Sequence, residues 1–126
     1  MMPENGEKIS VKGERSLSQG FIAQYSAEAA MQVPGVAGLE TGVIVSLKEV
    51  LGGEHNGKGV RVRFQGENAD FVQIDVFPLM FYGYRLPDVA WQVQEQVKEG
   101  VERFTGLPVN EVNVQVMGIV REEEEK

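Results

Sequence analysis

The segment of this sequence that most resembles a chemical motif is Gly52-Gly53-Glu54-His55-Asn56-Gly57-Lys58. Glycine-rich loops that end in lysine bind phosphate groups through backbone amides and the lysine ammonium group. Gly59 follows Lys58, however, so the hydroxyl group that would bind magnesium is absent. The segment also leads into a predicted strand, so no helix N-terminus faces a phosphate. We therefore expect a flexible connector here and no nucleotide site.

The remaining chemistry-bearing residues form no catalytic pattern either. His55 is the only histidine and there is no cysteine, so a zinc site would need carboxylates from elsewhere in the chain. A serine–histidine triad needs a preorganised histidine, whereas His55 lies in the predicted mobile loop. Asp75 is predicted to lie across a hairpin from Arg61 as a cross-strand ion pair. The sequence therefore predicts no catalytic residue, no cofactor and no metal ion, and a protein that is not an enzyme.

Composition limits the class of protein further. The 126 residues carry 12 basic and 19 acidic side chains, for a net charge of −7, which disfavours binding to nucleic acid or to an anionic membrane. The longest apolar stretch, Phe77–Tyr82, is far shorter than the roughly 20 residues that span a bilayer. The N-terminus lacks an apolar signal core. We expect a cytoplasmic protein that associates with a membrane only through a partner.

The chain is long enough for one domain, which is predicted over residues 9–120 between a flexible leader (1–8) and an acidic tail (121–126). Hydrophobic periodicity and capping residues predict the order β-α-(short α)-β-β-α-β. The predicted elements are strand Ile9–Val11, helix Ser16–Gln32, short helix Val43–Leu51, strands Val60–Gln65 and Val72–Val76, a helix from Pro87 to Gly106, and strand Val112–Val116. Two long helices on one face of an antiparallel or mixed sheet make an α+β two-layer sandwich.

Each long helix has one apolar stripe. The stripe of the first helix consists of Ile22, Tyr25, Ala29 and Val33, and that of the second of Leu86, Ala90, Val93, Val97, Val101 and Phe104. Gly100 falls on the second stripe, so we expect it to permit close packing against the sheet.

The face of the sheet opposite the helices is the first candidate interaction site. If Val60, Val62, Phe64, Val72, Ile74, Val76, Val112, Val114 and Val116 face the helices, the other face carries Arg61, Arg63, Phe71, Gln73, Asp75, Phe77, Asn113, Gln115 and Met117. Large apolar groups on an open face are typical of a subunit or partner interface. Alternatively, Phe71 and Phe77, which lie at strand ends, fold over the rim of the core. A mixture of Phe and Arg is also how some sheets stack single-stranded RNA bases, and the net charge favours the protein interface over this alternative.

Trp91 is the second candidate. At 100° per residue it lies about 120° from the centre of the apolar stripe of its helix. It is either an exposed binding residue, since tryptophan is common at binding hot spots, or it is covered by residues 43–51. The sequence leaves both interpretations open.

Several short motifs together resemble the alkaline-shock-protein family of bacteria. The matching residues are Val33-Pro34-Gly35-Val36, Gly57-Lys58-Gly59-Val60, Tyr82-Gly83, Val93-Gln94, Val97-Lys98, Val101-Glu102, Thr105-Gly106-Leu107, Val112-Asn113-Val114 and Gly118. The resemblance implies an abundant, self-associating cytoplasmic protein without known catalytic residues. It also implies a role in cell-envelope stress homeostasis, a separate membrane-anchor protein as partner in some members, and a link to lipid metabolism in others.

Overall fold

The computed structural model describes residues 11–41, 55–57 and 59–122. Its elements are α1 (Val11–Met31), β1 (Val36–Leu39), β2 (His55–Gly57), β3 (Val60–Gln65), β4 (Phe71–Val76), β5 (Pro78–Phe81), α2 (Leu86–Thr105), β6 (Val109–Val114) and β7 (Gly118–Val120). The predicted α+β two-layer class is confirmed, and the predicted order of elements roughly matches.

The described strands form two sheets. Strands β2, β3, β4 and β6 make a four-stranded mixed sheet in that order, and β1, β5 and β7 make a three-stranded sheet. Strand β3 is antiparallel to β2 and β4, whereas β4 and β6 are parallel. The parallel pair requires a crossover connection, which α2 provides.

The two sheets are neighbours, because two adjacent segments of the chain each run from one sheet into the other. Only Phe77 separates β4 from β5, and residues 115–117 separate β6 from β7. Backbone hydrogen bonds continue across the break: the Gln115 N–H donates to the Val76 carbonyl (2.9 Å) and the Met117 N–H to the Pro78 carbonyl (2.8 Å). Pro78 has no amide to donate, which favours a break in the ladder at this point.

The core lies between the four-stranded sheet and the helices. The alternating residues Val60, Val62, Val72, Ile74 and Val76 are fully buried, as the period-two pattern predicts. Opposite them, α1 contributes fully buried small residues, namely Ala23, Ser26 and Ala30, which allow the helix to approach the sheet closely. Val93 and Val97 of α2 complete the core.

Helix α2 begins and ends close to the predicted residues. Pro87 occupies its first turn, where a missing amide has no cost, and Asp88 lies near its positive end. Gly106 ends the helix in the left-handed conformation (φ 78°), and its N–H donates to the Glu102 carbonyl (2.9 Å). Sequence signals in the terminal turns therefore determined this helix.

The predicted start of α1 is wrong. The predicted first strand and the Ser16 N-cap place the helix start at Ser16, but α1 already includes Val11. Two alternating apolar residues, Ile9 and Val11, are too few to define a strand. The predicted end of α1 is confirmed, because the helix stops before Pro34 and Gly35 adopts a positive φ of 101°.

Several other expectations lie partly outside the described residues. The predicted short helix Val43–Leu51, the leader and residues 123–126 of the tail lie there entirely. Of the glycine-rich segment 52–58, residues 55–57 form β2, which pairs with β3 through Asn56 and Arg61, so this part is a strand and not a loop. Strands β1, β5 and β7 have no counterpart in the sequence-based expectations.

Candidate protein-interaction site

The open face of the four-stranded sheet carries a polar cluster at its centre, which consists of Asp75, Arg61, Arg63 and Asn113. Asp75 Oδ2 accepts hydrogen bonds from Arg61 Nε (3.0 Å) and Arg63 Nη2 (3.2 Å), and Oδ1 accepts one from Asn113 Nδ2 (2.9 Å). The predicted cross-strand pair of Asp75 with Arg61 is confirmed, since the two residues are directly opposite in the ladder. One carboxylate thus connects side chains of three strands.

The carboxylate of this cluster stays ionised although it is buried. Desolvation raises the pKa of Asp75, but hydrogen bonds from Asn113 and Arg61 and the charges of Arg61 and Arg63 outweigh it, so the pKa lies below its ordinary value of 3.8. Both arginine side chains are therefore engaged in ion pairs within the sheet face. This arrangement does not favour the RNA-binding alternative, which relies on Arg61 and Arg63 to neutralise phosphates.

The expectation that Phe77 is available on the open sheet face is wrong. Its side chain is only 5% exposed, and the Arg61 guanidinium carbon lies 5.7 Å from the centre of its ring. Phe77 lies at the bend between β4 and β5, where simple alternation no longer determines which face a side chain occupies. Phe71 is half-buried and Met117 is exposed.

Trp91 is exposed among the described residues, and residues 43–51, which the alternative interpretation places over it, lie outside them. Its side chain is 60% exposed and lines a groove of about 300 Å³ between the end of α1 and the first half of α2. The other residues that line this groove are Gln32, Val33, Pro34, Gln92, Glu95 and Gln96. A second, more apolar groove of about 580 Å³ shares Gln32 and continues between α1 and β1.

A stacked aromatic cluster joins the two helices at their other end. The Phe21 and Phe104 ring centres are 4.9 Å apart, and those of Tyr25 and Phe104 are 5.6 Å apart. The expectation that Phe104 lies on the buried stripe is wrong, because it is 56% exposed. Sequence reasoning missed this cluster, although Phe21 and Tyr25 are four residues apart on one helix face.

Gly100 explains why the helices meet so closely at this cluster. A Cβ atom on Gly100 would overlap the Tyr25 hydroxyl group and lie 2.5 Å from Tyr25 Cε2. The predicted close approach is therefore present, but it is an approach to α1 and not to the sheet. The stripe pattern shows only that Gly100 faces inward; which element it contacts depends on the tertiary packing.

A third group of exposed apolar side chains surrounds β7. Val116, Met117, Ile119 and Tyr82 are all exposed, and the Arg121 guanidinium carbon lies 4.4 Å from the centre of the Tyr82 ring. The expectation that Val116 faces the core is wrong, because residues 115–117 lie between β6 and β7, where the alternation is interrupted.

A polar contact fixes the start of β6 on the end of α2. Glu102 Oε2 accepts hydrogen bonds from Lys98 Nζ (2.8 Å) and from the Val109 N–H (2.8 Å), while Lys98 Nζ also donates to the Val109 carbonyl (3.3 Å). The hydrogen bond from Lys98 and the one from the Val109 amide lower the pKa of Glu102 below its ordinary value. Both residues therefore position a strand.

The described part of the chain shows neither a metal-ligand cluster nor a membrane-spanning helix. No group of three or more His, Cys, Asp or Glu in that part could hold a metal ion. Among the helices of the described ranges, none is long and apolar enough to cross a membrane.

The fold and these surfaces define an α+β two-layer domain with exposed apolar side chains on its helices and along one sheet border. The model of the alkaline-shock-protein 23 family, a family with a cell envelope-related function, matches residues 7–121. The chain therefore belongs to this family, and the resemblance noted from its motifs is confirmed.

The chain is similar to curated proteins over most of its length. It is 33% identical to YloU of Bacillus subtilis (strain 168) over 109 residues, which cover 85% of this chain and 88% of YloU. It is 31% identical to YqhY of the same organism, over 85% of this chain and 77% of YqhY. It is also 32% identical to Spy1614 of Streptococcus pyogenes serotype M6, over 89% of this chain and 93% of Spy1614.

Among solved structures, the chain is similar to a manganese form of the MamM CTD. The TM-score is 0.46 at 18% identity, over 79% of this chain and 96% of that chain. A likeness at this level supports no conclusion about function.

Proposed function

We propose that this protein is a non-enzymatic, self-associating interaction or scaffold protein. It works in cell-envelope homeostasis from the cytoplasm and reaches the envelope through an anchor or effector protein. The envelope-related role of its family supports the part of this proposal that concerns the cell envelope. The exposed apolar surfaces of the domain support protein binding as its mode of action.

The observation that carries the proposal is the exposed Trp91 in its groove. Tryptophan is enriched at binding hot spots because it contributes a large apolar area with few rotatable bonds. Trp91 lies beside Pro34, and Glu95 is the single charged residue among those that line the groove. An apolar centre with a polar border is the usual anatomy of a protein interface.

The ionised side chains support the non-enzymatic part of the proposal. The two carboxylates whose pKa is lowered, Asp75 and Glu102, each accept hydrogen bonds that connect strands or join a helix to a strand. A catalytic carboxylate at neutral pH commonly has a raised pKa and faces a cleft. Asp75 and Glu102 instead stabilise the fold.

Sedimentation equilibrium combined with partner recovery tests the proposal. We expect a mass above the 13.9 kDa of one chain that rises with protein concentration. Immobilised wild-type protein should retain a specific partner from an envelope extract, Trp91→Ser should lose it, and Trp91→Phe should keep part of it because the ring is retained. Phe71→Ser is a second informative variant, whereas Phe77 is unsuitable because it is buried.

A strictly monomeric wild type, together with identical recovery by wild type and Trp91→Ser, would contradict the proposal. Retention on single-stranded RNA that falls with salt and depends on Arg61 and Arg63 would support the RNA-binding alternative instead.

A further inference from the structure

The outer border of both sheets is one continuous segment, Val109–Val120. Within the described residues, β6 pairs with β4 alone and β7 with β5 alone, so both strands are at the edge of their sheets. At a rise of about 3.3 Å per residue the segment is about 40 Å long. An edge of this length offers a row of backbone amides and carbonyls to another strand.

This edge has few of the features that normally prevent strand pairing, and its one irregularity, the register shift between β4 and β6 at Val109–Glu111, lies near its start. Natural edge strands are protected by lysine, proline or inward-pointing charges. Val109–Val120 contains no lysine, arginine or proline, and Glu111 is its only charged residue. Six of its residues are Val or Ile, which favour strands, and three apolar side chains near its middle are exposed, namely Val116, Met117 and Ile119.

The backbone at Val116 is directed away from the neighbouring strand. The N–H groups on either side of it, of Gln115 and Met117, donate to carbonyls of the β4–β5 segment. Because successive amides of a strand point to opposite sides, the Val116 amide points toward the outer border. A second strand can therefore pair here without breaking the two hydrogen bonds that the Gln115 and Met117 amides donate.

The charges near the ends of the segment indicate which strand would pair. Glu111 lies near its start and Arg121 directly after its end, and both are exposed. In an antiparallel pair of two identical segments, each Glu111 lies near the Arg121 of the other copy, whereas a parallel pair would bring like charges together. Two copies related by a two-fold axis thus present complementary charges to each other.

We infer that a second copy of this chain pairs antiparallel along Val109–Val120, so that the sheets of two subunits become continuous. The inference rests on the self-association in the proposed function and names its surface. Exposed Val116, Met117 and Ile119 are covered in the dimer, and the two Glu111–Arg121 pairs close its ends. Trp91 lies on α2, outside this border, and stays available to another partner.

Val116→Pro is the variant that tests the pairing. Proline removes the outward amide and resists strand addition, while Val116→Thr keeps the amide and the branched side chain. Sedimentation equilibrium should show wild type and Val116→Thr as dimers and Val116→Pro at 13.9 kDa. Circular dichroism spectra of the three proteins should agree, which shows that the domain itself remains folded, while Val116→Pro should unfold at a lower temperature because it lacks the stabilisation that dimer formation provides.

Cross-linking tests the antiparallel direction independently, because the natural chain has no cysteine. Glu111→Cys mixed with Arg121→Cys should form a disulfide-linked heterodimer, while each protein alone and a Glu99→Cys control on α2 should not.

An oligomer that persists in folded Val116→Pro, or no cross-link in the mixture, overturns the inference and leaves self-association standing. A monomeric wild type contradicts both the antiparallel pairing and the self-association in the proposed function. If another segment of the same chain covers this edge, the wild type is monomeric and the mixture gives no cross-link, which overturns the inference.

Discussion

The open face of the four-stranded sheet and the exposed face of the helix pair differ in the contacts and the exposure of their side chains. On the sheet face, Arg61 and Arg63 contact the carboxylate of Asp75, and the nearby Phe77 is buried. On the helix face, Trp91 and Phe104 are more than half exposed. The face with the stronger polar contacts therefore contributes to stability, whereas the helix face has apolar area left for binding. Polar residues alone do not indicate an interaction site, because their partners can lie within the same face.

The largest expected effect comes from Asp75→Asn. This change removes the negative charge that Arg61 and Arg63 share and leaves two guanidinium groups close together. Because Asp75 is buried and both arginines reach solvent, we expect the free energy of unfolding to fall by about 2–3 kcal/mol, measured by urea denaturation. The matched control is Asp88→Asn, whose ion pair with Arg85 is exposed and should contribute less than about 1 kcal/mol.

The same variant has a defined pH signature. Because the pKa of Asp75 is lowered in the folded state, its contribution is present above the unfolded pKa and is lost as pH falls through the folded pKa. The stability difference between wild type and Asp75→Asn should therefore be constant near neutral pH and shrink below about pH 4. A difference that shrinks near about pH 6 would contradict this assignment.

Gly100→Ala should have the next largest effect, at the contact between the helices. The new methyl group would overlap the Tyr25 ring, and overpacking costs about 1–3 kcal/mol, partly offset by the gain of about 1 kcal/mol from replacing glycine in a helix. We expect a net loss of about 1–2 kcal/mol in thermal or urea unfolding. Gly38→Ala is the control, because its Cβ would meet no atom within 4 Å. Equal stability of the two variants would show that Tyr25 moves aside freely.

Ser26→Ala should change stability little or raise it. The Ser26 hydroxyl is fully buried and has no hydrogen-bond partner in the described structure, so its removal relieves a desolvation cost. We expect a gain of up to about 1 kcal/mol in the free energy of unfolding. A loss greater than about 1 kcal/mol would show that the hydroxyl has a partner in solution.

Trp91→Ser should have the smallest effect on stability. It also distinguishes most clearly between the role of the sheet face in stability and that of the helix face in binding. A side chain that is 60% exposed contributes little to the core, so the free energy of unfolding should change by less than about 0.5 kcal/mol. Partner binding should nevertheless be lost, in contrast to Asp75→Asn. If Trp91→Ser unfolds as readily as Asp75→Asn, Trp91 belongs to the core and the comparison of the faces fails.

Local signals in the sequence predicted much of the fold and part of the candidate site. Alternation identified the buried face of β3 and β4, and Pro87 and Gly106 marked the ends of α2, because these signals act within a few residues. Trp91 was found because its angle on the helix places it off the apolar stripe. Phe77 and Phe104 were misplaced, since one lies at a bend and the other beyond the region that the sheet covers.

From its residues alone, the chain could be assigned its class of fold, the buried faces of its central hairpin and the lack of a surplus of positive charge. Each of these follows from composition or from periodicity within one element. Three other features are visible only in the folded chain: Gly100 contacts Tyr25, Asp75 connects side chains of three strands, and Val109–Val120 borders both sheets. These features depend on which distant segments of the chain meet in the fold. The residue pattern of one segment does not specify the segments that it contacts.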